Sequence, residues 1–482
     1  MNFLRPARFI MMTTAAVSLF MLFPALWGAV SGDGGAIPLC AAPAVGMLLS
    51  GLLHFVSRRY SVGDMNAREA ILSVAGSWAF ASLIAGLPYL FSRTTGSFLD
   101  AIFEGVSGFT TTGASVIEDL EAAPPSILLW RSVSQWVGGI GIVVMALAVF
   151  PISGAGMRLY RAEVTGPFHG RLTPRIQGTA AILLKTYLIL TCAQVALLLL
   201  GGLGIFDALT LSFSTMATGG FSPYRDSVGH FAGTYVKWVT AAFLFLSASN
   251  LTFLYSLAVR ENFRSAGDNS EMKFYMFMLI VFGALISSLL YFDGIFGARD
   301  SLAAGFFHAV SMLSTCGFFI ADYNEWPASV RILTLMLMFC GGCSISTAGG
   351  MTCARVLAAL HHIGAECGRR LHPKAVVPTC IGESLMDEGV ISACFAYIIA
   401  YMAIFTTAVA IVGFFGLDIV TACSGVAATL GNVGPGFGMA APSAGYASLP
   451  SAVKIVYMFL MLCGRLGIFT LLAVFTPDFW RK

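Results

Sequence analysis

The stretch GFTTTGAS (108–115) places three threonines and two glycines between apolar segments. Threonines bring hydroxyls and backbone carbonyls, oxygens that can replace the water around a cation. Glycines let the backbone turn where a side chain would clash. Three further segments share this build, a short apolar run that ends in a glycine-containing polar turn. The four are FLDAIFEGVSGFTTTGAS (98–115), FDALTLSFSTMATGGFS (206–222), DSLAAGFFHAVSMLSTCGFF (300–319) and LDIVTACSGVAATLGNVGPGFG (417–438). Aligned on Gly113, Gly219, Gly317 and Gly431, they recur at nearly regular intervals, which marks an internal repeat. Two more features could do chemistry. Gly341, Gly342, Gly349 and Gly350 surround Ser344, Ser346 and Thr347 inside an apolar run. Arg465 sits deep within another, where a charge is costly unless it faces a cavity or a partner.

The elements that must position these residues follow from composition. Of 482 residues, 57% are apolar and 11% charged, and the mean hydropathy is +0.83. Soluble domains carry about 25% charged residues, so the chain reads as a polytopic helical membrane protein. Apolar runs at 9–30, 37–57, 70–92, 126–151, 179–203, 233–259, 273–292, 328–360, 388–415 and 451–476 are each long enough to span a bilayer. The first run is too long for a signal-peptide core and reads as a retained helix. Arg58, Arg59, Arg158, Arg161, Arg369, Arg370 and Lys374 fall in one set of loops, while Glu118, Asp119 and Glu121 fall in the other. By the positive-inside rule both termini are cytoplasmic. The net charge of +3 gives no reason to expect nucleic acid as a partner. The eleven cysteines read as small core residues, and Cys340-x-x-Cys343 lacks neighbouring ligands for a metal.

The organisation that emerges is two N-terminal spans (1–60) and four repeats at 61–156, 157–262, 263–370 and 371–482. Each polar turn follows a run that as a helix covers only half a membrane. A re-entrant half-helix with an extended return is the economical reading. Bare backbone at that depth survives only where it is buried in protein or lines water. Four such turns around one axis could present carbonyls to a cation, with helix C-termini aimed at it. Asp100, Asp207 and Asp418 stand near the starts of half-helices, where carboxylates suit an N-terminus. Asp300 lies farther from its glycine than the others.

Together the turns TTTG, MATG, STCG and ATLG resemble those of the Trk/Ktr/HKT superfamily of potassium transporters, and the two added spans resemble its TrkH branch. QWVGGIGIVV (135–144), LYRAEVTGP (159–167), FCGGCSISTAGGM (339–351), TLGNVGPGFG (429–438) and GRLGIFTLLAVFTPDFWR (464–481) carry the same likeness across the whole chain. The resemblance implies an all-α polytopic fold with four M1–P-loop–M2 repeats around a central pore, as in K+ channels. It implies K+ as the transported ion, with no other cofactor, held by a selectivity filter. The filter residues are Thr110, Thr111, Thr112 and Gly113; Ala217, Thr218 and Gly219; Thr315, Cys316 and Gly317; and Thr429, Leu430 and Gly431. In the superfamily a serine at the first filter glycine accompanies sodium permeation, so Gly113 favours potassium. The loop from Gly341 through Ser344, Ser346 and Thr347 to Gly350 would be a gate, with Arg465 beside it as an electrostatic barrier. A homodimer in a bacterial cytoplasmic membrane is implied, with a cytosolic TrkA-like nucleotide-binding subunit on basic loops around 156–176, 260–273 and 361–384.

Two other readings remain. A proton-coupled carrier would bury a carboxylate in a span, and none stands out. Gly105-Val106-Ser107-Gly108 is literally GxSG, the nucleophile motif of rhomboid-like intramembrane proteases, with His308 as the available partner.

Overall fold

The computed structural model describes residues 3–58, 65–141, 176–260, 269–374, 378–381 and 384–481. The basic loop expected at 156–176 lies almost wholly outside these residues. Six helical segments are long and apolar enough to cross a membrane, and two bent helix pairs raise the number to eight. Of the other two expected spans, one is described as the helix Pro125–Gly139, and the rest of that apolar run from 142 lies outside the described residues. The other is broken into Ala328–Cys340 and Cys353–Leu371. Large apolar side chains such as Leu48, Ile399 and Phe414 point outward, while Thr110, Thr111, Thr112 and Thr429 are buried. This inversion of the soluble pattern suits a lipid solvent. A two-residue hairpin, Cys380–Ile381 with Ser384–Leu385, is a small departure from an all-helical chain.

Four short helices follow four long ones. Phe98–Phe109 packs on Ala67–Phe91, Ile205–Met216 on Ile176–Leu200, Ala298–Leu313 on Ser270–Phe292, and Ile419–Leu430 on Glu388–Phe414. Three of the short helices have 12 residues and the third has 16. That extra turn explains why Asp300 lies out of register. Asp418 caps its helix by accepting the Val420 and Thr421 N–H groups at 3.1 Å. These hydrogen bonds, led by those to Thr421, hold its carboxyl below the usual range.

A second helix follows each short one: Pro125–Gly139, Thr234–Ser247, Ala328–Cys340 and Ser451–Leu466. Each packs on the half-helix of its own repeat and on that of the next, and the last closes on Phe98–Phe109 of the first. Four sequential repeats thereby make a closed ring. Among the described residues, each second helix has only 13–16 residues, short of a full crossing. The chain turns by 102° after Ser247 and by 119° after Leu466, where Gly467 adopts φ 81°. The sequence pointed to such a break only in the third repeat.

Candidate ion pathway

The four half-helices end in one backbone motif. Their C-caps are Thr110, Ala217, Ser314 and Gly431. The next residue in each is left-handed: Thr111 (φ 56°), Thr218 (52°), Thr315 (56°) and Asn432 (55°). Two residues on stands a glycine with positive φ: Gly113 (83°), Gly220 (80°), Gly317 (77°) and Gly434 (97°). Between them, the N–H groups of Thr112, Gly219, Cys316 and Val433 donate five residues back, to Ser107, Ser214, Ser311 and Ala428, at 2.8–3.0 Å. A non-glycine residue in this region costs about 1–3 kcal/mol and persists where the surroundings dictate it. Its recurrence in all four repeats marks a shared purpose.

This geometry shifts the register read from the sequence in two repeats. The conformational partner of Gly113 and Gly317 is Gly220 rather than Gly219, and Gly434 rather than Gly431. Gly431 is the helix cap, and Thr429 and Leu430 still belong to the half-helix. The glycine is set by its distance from the helix end, which sequence alone does not mark where several glycines follow one another.

The turns meet in a ring. A side chain on Gly113 would strike the Gly219 carbonyl, and one on Gly220 the Cys316 carbonyl. One on Gly317 would strike the Val433 carbonyl, and one on Gly434 the Thr112 carbonyl. Each turn therefore abuts the next, and the fourth returns to the first. Among the described residues, no hydrogen-bond donor reaches the carbonyls of Thr111, Thr112, Thr218, Thr315, Cys316, Asn432 or Val433. All seven residues are buried. Buried carbonyls without a donor are costly, so this ring suits a positive guest.

Charged and polar side chains brace the ring from behind. Glu104, fully buried in the first half-helix, pairs with Arg131 at 2.8 Å and accepts the Val116 N–H at 2.9 Å. Arg131 also donates to the Ser222 carbonyl at 3.0 Å and lies over the Phe221 ring. It thus ties the return strands of turns one and two together. Lys454 pairs with Asp100 at 2.6 Å. Tyr446 donates to the Gly434 carbonyl at 2.6 Å, and Tyr323 to that of Pro435 at 3.1 Å. A buried carboxylate does not stand out in the sequence, because Glu104 lies in a half-helix and interrupts no full span. Its signal, a charge inside an apolar run, was the one that singled out Arg465.

The break in the third repeat occupies 341–352, with positive φ at Gly341, Ile345, Gly350 and Thr352. The Gly349 N–H donates to Thr315 Oγ1 at 2.7 Å, which sets the loop against the third turn. The Cys343 N–H donates to the Ala248 carbonyl at 2.8 Å, and Thr347 Oγ1 to that of Ser247 at 3.1 Å. The Ser344 N–H donates to Glu271 at 2.6 Å, and Ser346 Oγ to the Cys343 carbonyl. Gly342 packs against the Ala248 backbone. Arg465 donates to the Thr347 carbonyl at 2.7 Å and to the carbonyls of Gly138 and Gly139 at 3.0 Å. The breaks of all four second helices are thereby linked. The loop touches early residues of the turns. A cavity of about 330 Å³ adjoins later ones, including Gly113, Gly220 and Pro435. At its wall, burial and a hydrogen bond to Asp207 push the Tyr224 hydroxyl up to about 12.

Ser107 and His308 are not brought together. His308 bonds Thr334 at 2.8 Å and packs at a steep angle against the rings of Tyr323 and Trp326, while the Ser107 hydroxyl has no hydrogen-bond partner among the described residues. Among the described residues, no cluster of His, Cys, Asp or Glu could hold a metal ion.

A closed ring of four re-entrant turns within an apolar helical bundle defines a membrane transport protein. The chain belongs to the TrkH family of cation transport proteins, whose model matches residues 44–296 and 274–482. It is 37% identical to the Trk system potassium uptake protein TrkH of Halomonas elongata, over 96% of each chain. Identity to TrkH of Salmonella typhimurium is 34% over the full length of both. The crystal structure of the potassium transporter TrkH from Vibrio parahaemolyticus matches over 100% of both chains, with a TM-score of 0.89 and 33% identity. The family is one of transporters, not enzymes.

Proposed function

We propose that this chain is the K+-translocating subunit of a bacterial Trk-type potassium uptake system. The closed ring of turns, with seven carbonyls that no donor reaches among the described residues and an eighth, Gly219, held by Gln135, carries this reading. Carbonyls of Thr111 and Thr112, Thr218 and Gly219, Thr315 and Cys316, and Asn432 and Val433 replace the hydration oxygens of K+ as it passes. The half-helix C-termini add partial negative charge. Gly113, Gly220, Gly317 and Gly434 permit the close approach that completes the ring. The loop 341–352 is the gate, and Arg465, a fixed cation at its edge, is part of the barrier. The protein sits in the cytoplasmic membrane with both termini inside and pairs as a homodimer. A cytosolic TrkA-like subunit on the basic inner surface acts on the gate. The relatives' names, which specify potassium uptake, support the choice of ion.

Purified protein in sealed liposomes tests the filter. K+ uptake should exceed Na+ uptake, and Gly113→Ser should erode that preference. An unchanged preference in a folded variant would refute the assignment. A proton-coupled carrier is disfavoured because Glu104 is already neutralised by Arg131. Flux that vanished without a pH gradient would reverse that ranking.

A further inference from the structure

We propose that Gln135 is the positioning residue of the second filter turn and stands in for a side chain that Gly219 lacks; this rests on the filter reading above. The position after the left-handed residue is Thr112, Cys316 or Val433 in turns one, three and four, and glycine only in turn two. Turn two is also the one in which this position and the positive-φ glycine are adjacent glycines, Gly219 and Gly220. Two consecutive glycines carry the greatest conformational freedom to be lost. Something outside the turn must hold them.

Gln135 does so from the second helix of the first repeat. Its side chain is fully buried. Nε2 donates to the Gly219 carbonyl at 2.5 Å, and Oε1 accepts the Phe221 N–H at 3.1 Å. The planar amide thus brackets the Gly219–Gly220 pair. Gly219 offers only an acceptor and Phe221 only a donor here, so one orientation of the amide satisfies both. A Cβ added at Gly219 would lie 2.5 Å from Oε1 and 2.8 Å from Nε2. The amide fills the space that a side chain at 219 would take. The Gly219 carbonyl is held between this amide and Gly113 of the first turn. Among the described residues, no side chain donates to the equivalent carbonyls of Thr112, Cys316 and Val433. Residues 135 and 219 therefore form a complementary pair, one large and one empty, and Gln135 sets selectivity by fixing the position of the Gly219 carbonyl in the filter.

The test is the K+/Na+ permeability ratio of the purified full-length protein in liposomes, with monodispersity and melting temperature as folding controls. Gln135→Ala should lower the ratio about tenfold, the effect of one lost buried brace. Gly219→Ala should lower it too, because the methyl displaces the amide. Gln135→Met, which fills the space without hydrogen bonds, should fall between wild type and Gln135→Ala. The double variant Gln135→Ala/Gly219→Thr moves the bulk into the turn and should recover most of the ratio. An unchanged ratio in Gln135→Ala and Gln135→Met overturns the proposal. So does a double variant no better than the worse single. Gly113→Ser separates the two levels of failure. If it collapses the ratio while the 135/219 series does nothing, the role of Gln135 alone is wrong. If it also does nothing, the filter reading falls with it.

Discussion

The ring of turns and the level of the helix breaks are built from the same four repeats but treat them differently. At the ring, all four quarters keep one backbone conformation, down to the left-handed residue and the glycine two positions later. At the breaks, every second helix also stops, yet the consequences diverge. Two bend by 102° and 119°, and that of the third repeat opens into the loop 341–352. A symmetric ion shell needs equivalent contributions from every side. An obstruction needs only one element and neighbours to hold it. Arg465, Ser247 and Thr315, from repeats four, two and three, supply that hold.

If equivalence is what the ring demands, its four glycines should be the least replaceable residues. Alanine at Gly220 or Gly434 should cut K+ uptake by about two orders of magnitude, since the methyl meets neighbouring backbone. Gly434→Ala should be worse than Gly431→Ala in a rubidium-tracer assay. The opposite order would restore the register suggested by sequence. Next comes the brace behind the ring. Arg131→Ala leaves Glu104 buried without its partner and should cost about 3–5 kcal/mol, read as a lower melting temperature in detergent. At the level of the breaks, Arg465→Ala frees the Thr347 carbonyl. It should raise flux about fivefold in the absence of the cytosolic subunit, a typical coupling effect. Unaltered flux would make the loop a passive filler. The smallest effect belongs to the outer rim. Asp418→Ala removes a helix cap and should cost about 1 kcal/mol. Because the folded carboxyl titrates below its unfolded value, this contribution is present above the unfolded value of about 4 and is lost as pH falls through the folded one. Wild type and variant should converge in melting temperature as the medium is acidified below that point.

Much of this architecture was legible in the sequence because it is written in composition and recurrence. The four turns announced themselves as a set, and the glycines of 341–350 announced a broken span. Arg465 stood out as a deep charge. The register of turns two and four was not legible. Glycine-rich strings such as TGG and GNVGPG offer several candidates, and Asn432 adopts a left-handed conformation without being glycine. Choosing among them requires knowing where the half-helix ends. The bends after Ser247 and Leu466 were hidden inside long apolar runs, where hydropathy is blind to direction. The Glu104–Arg131 pair was hidden because its members lie 27 residues apart and meet only once the half-helix folds back. In the sequence Gln135 belongs to QWVGGIGIVV, and its complement at Gly219 is visible only where the fold sets the two elements side by side.

The extra helical turn in the third quarter, Ala298–Leu313, has a wider meaning. In an assembly of four identical chains, every substitution would be felt four times over. Here each quadrant has its own codons, so a change strikes once and is diluted by three unaltered neighbours. Such a molecule can explore lopsided solutions, one sector lengthened and another stripped of a side chain, by steps that a strictly fourfold assembly would have to take all at once.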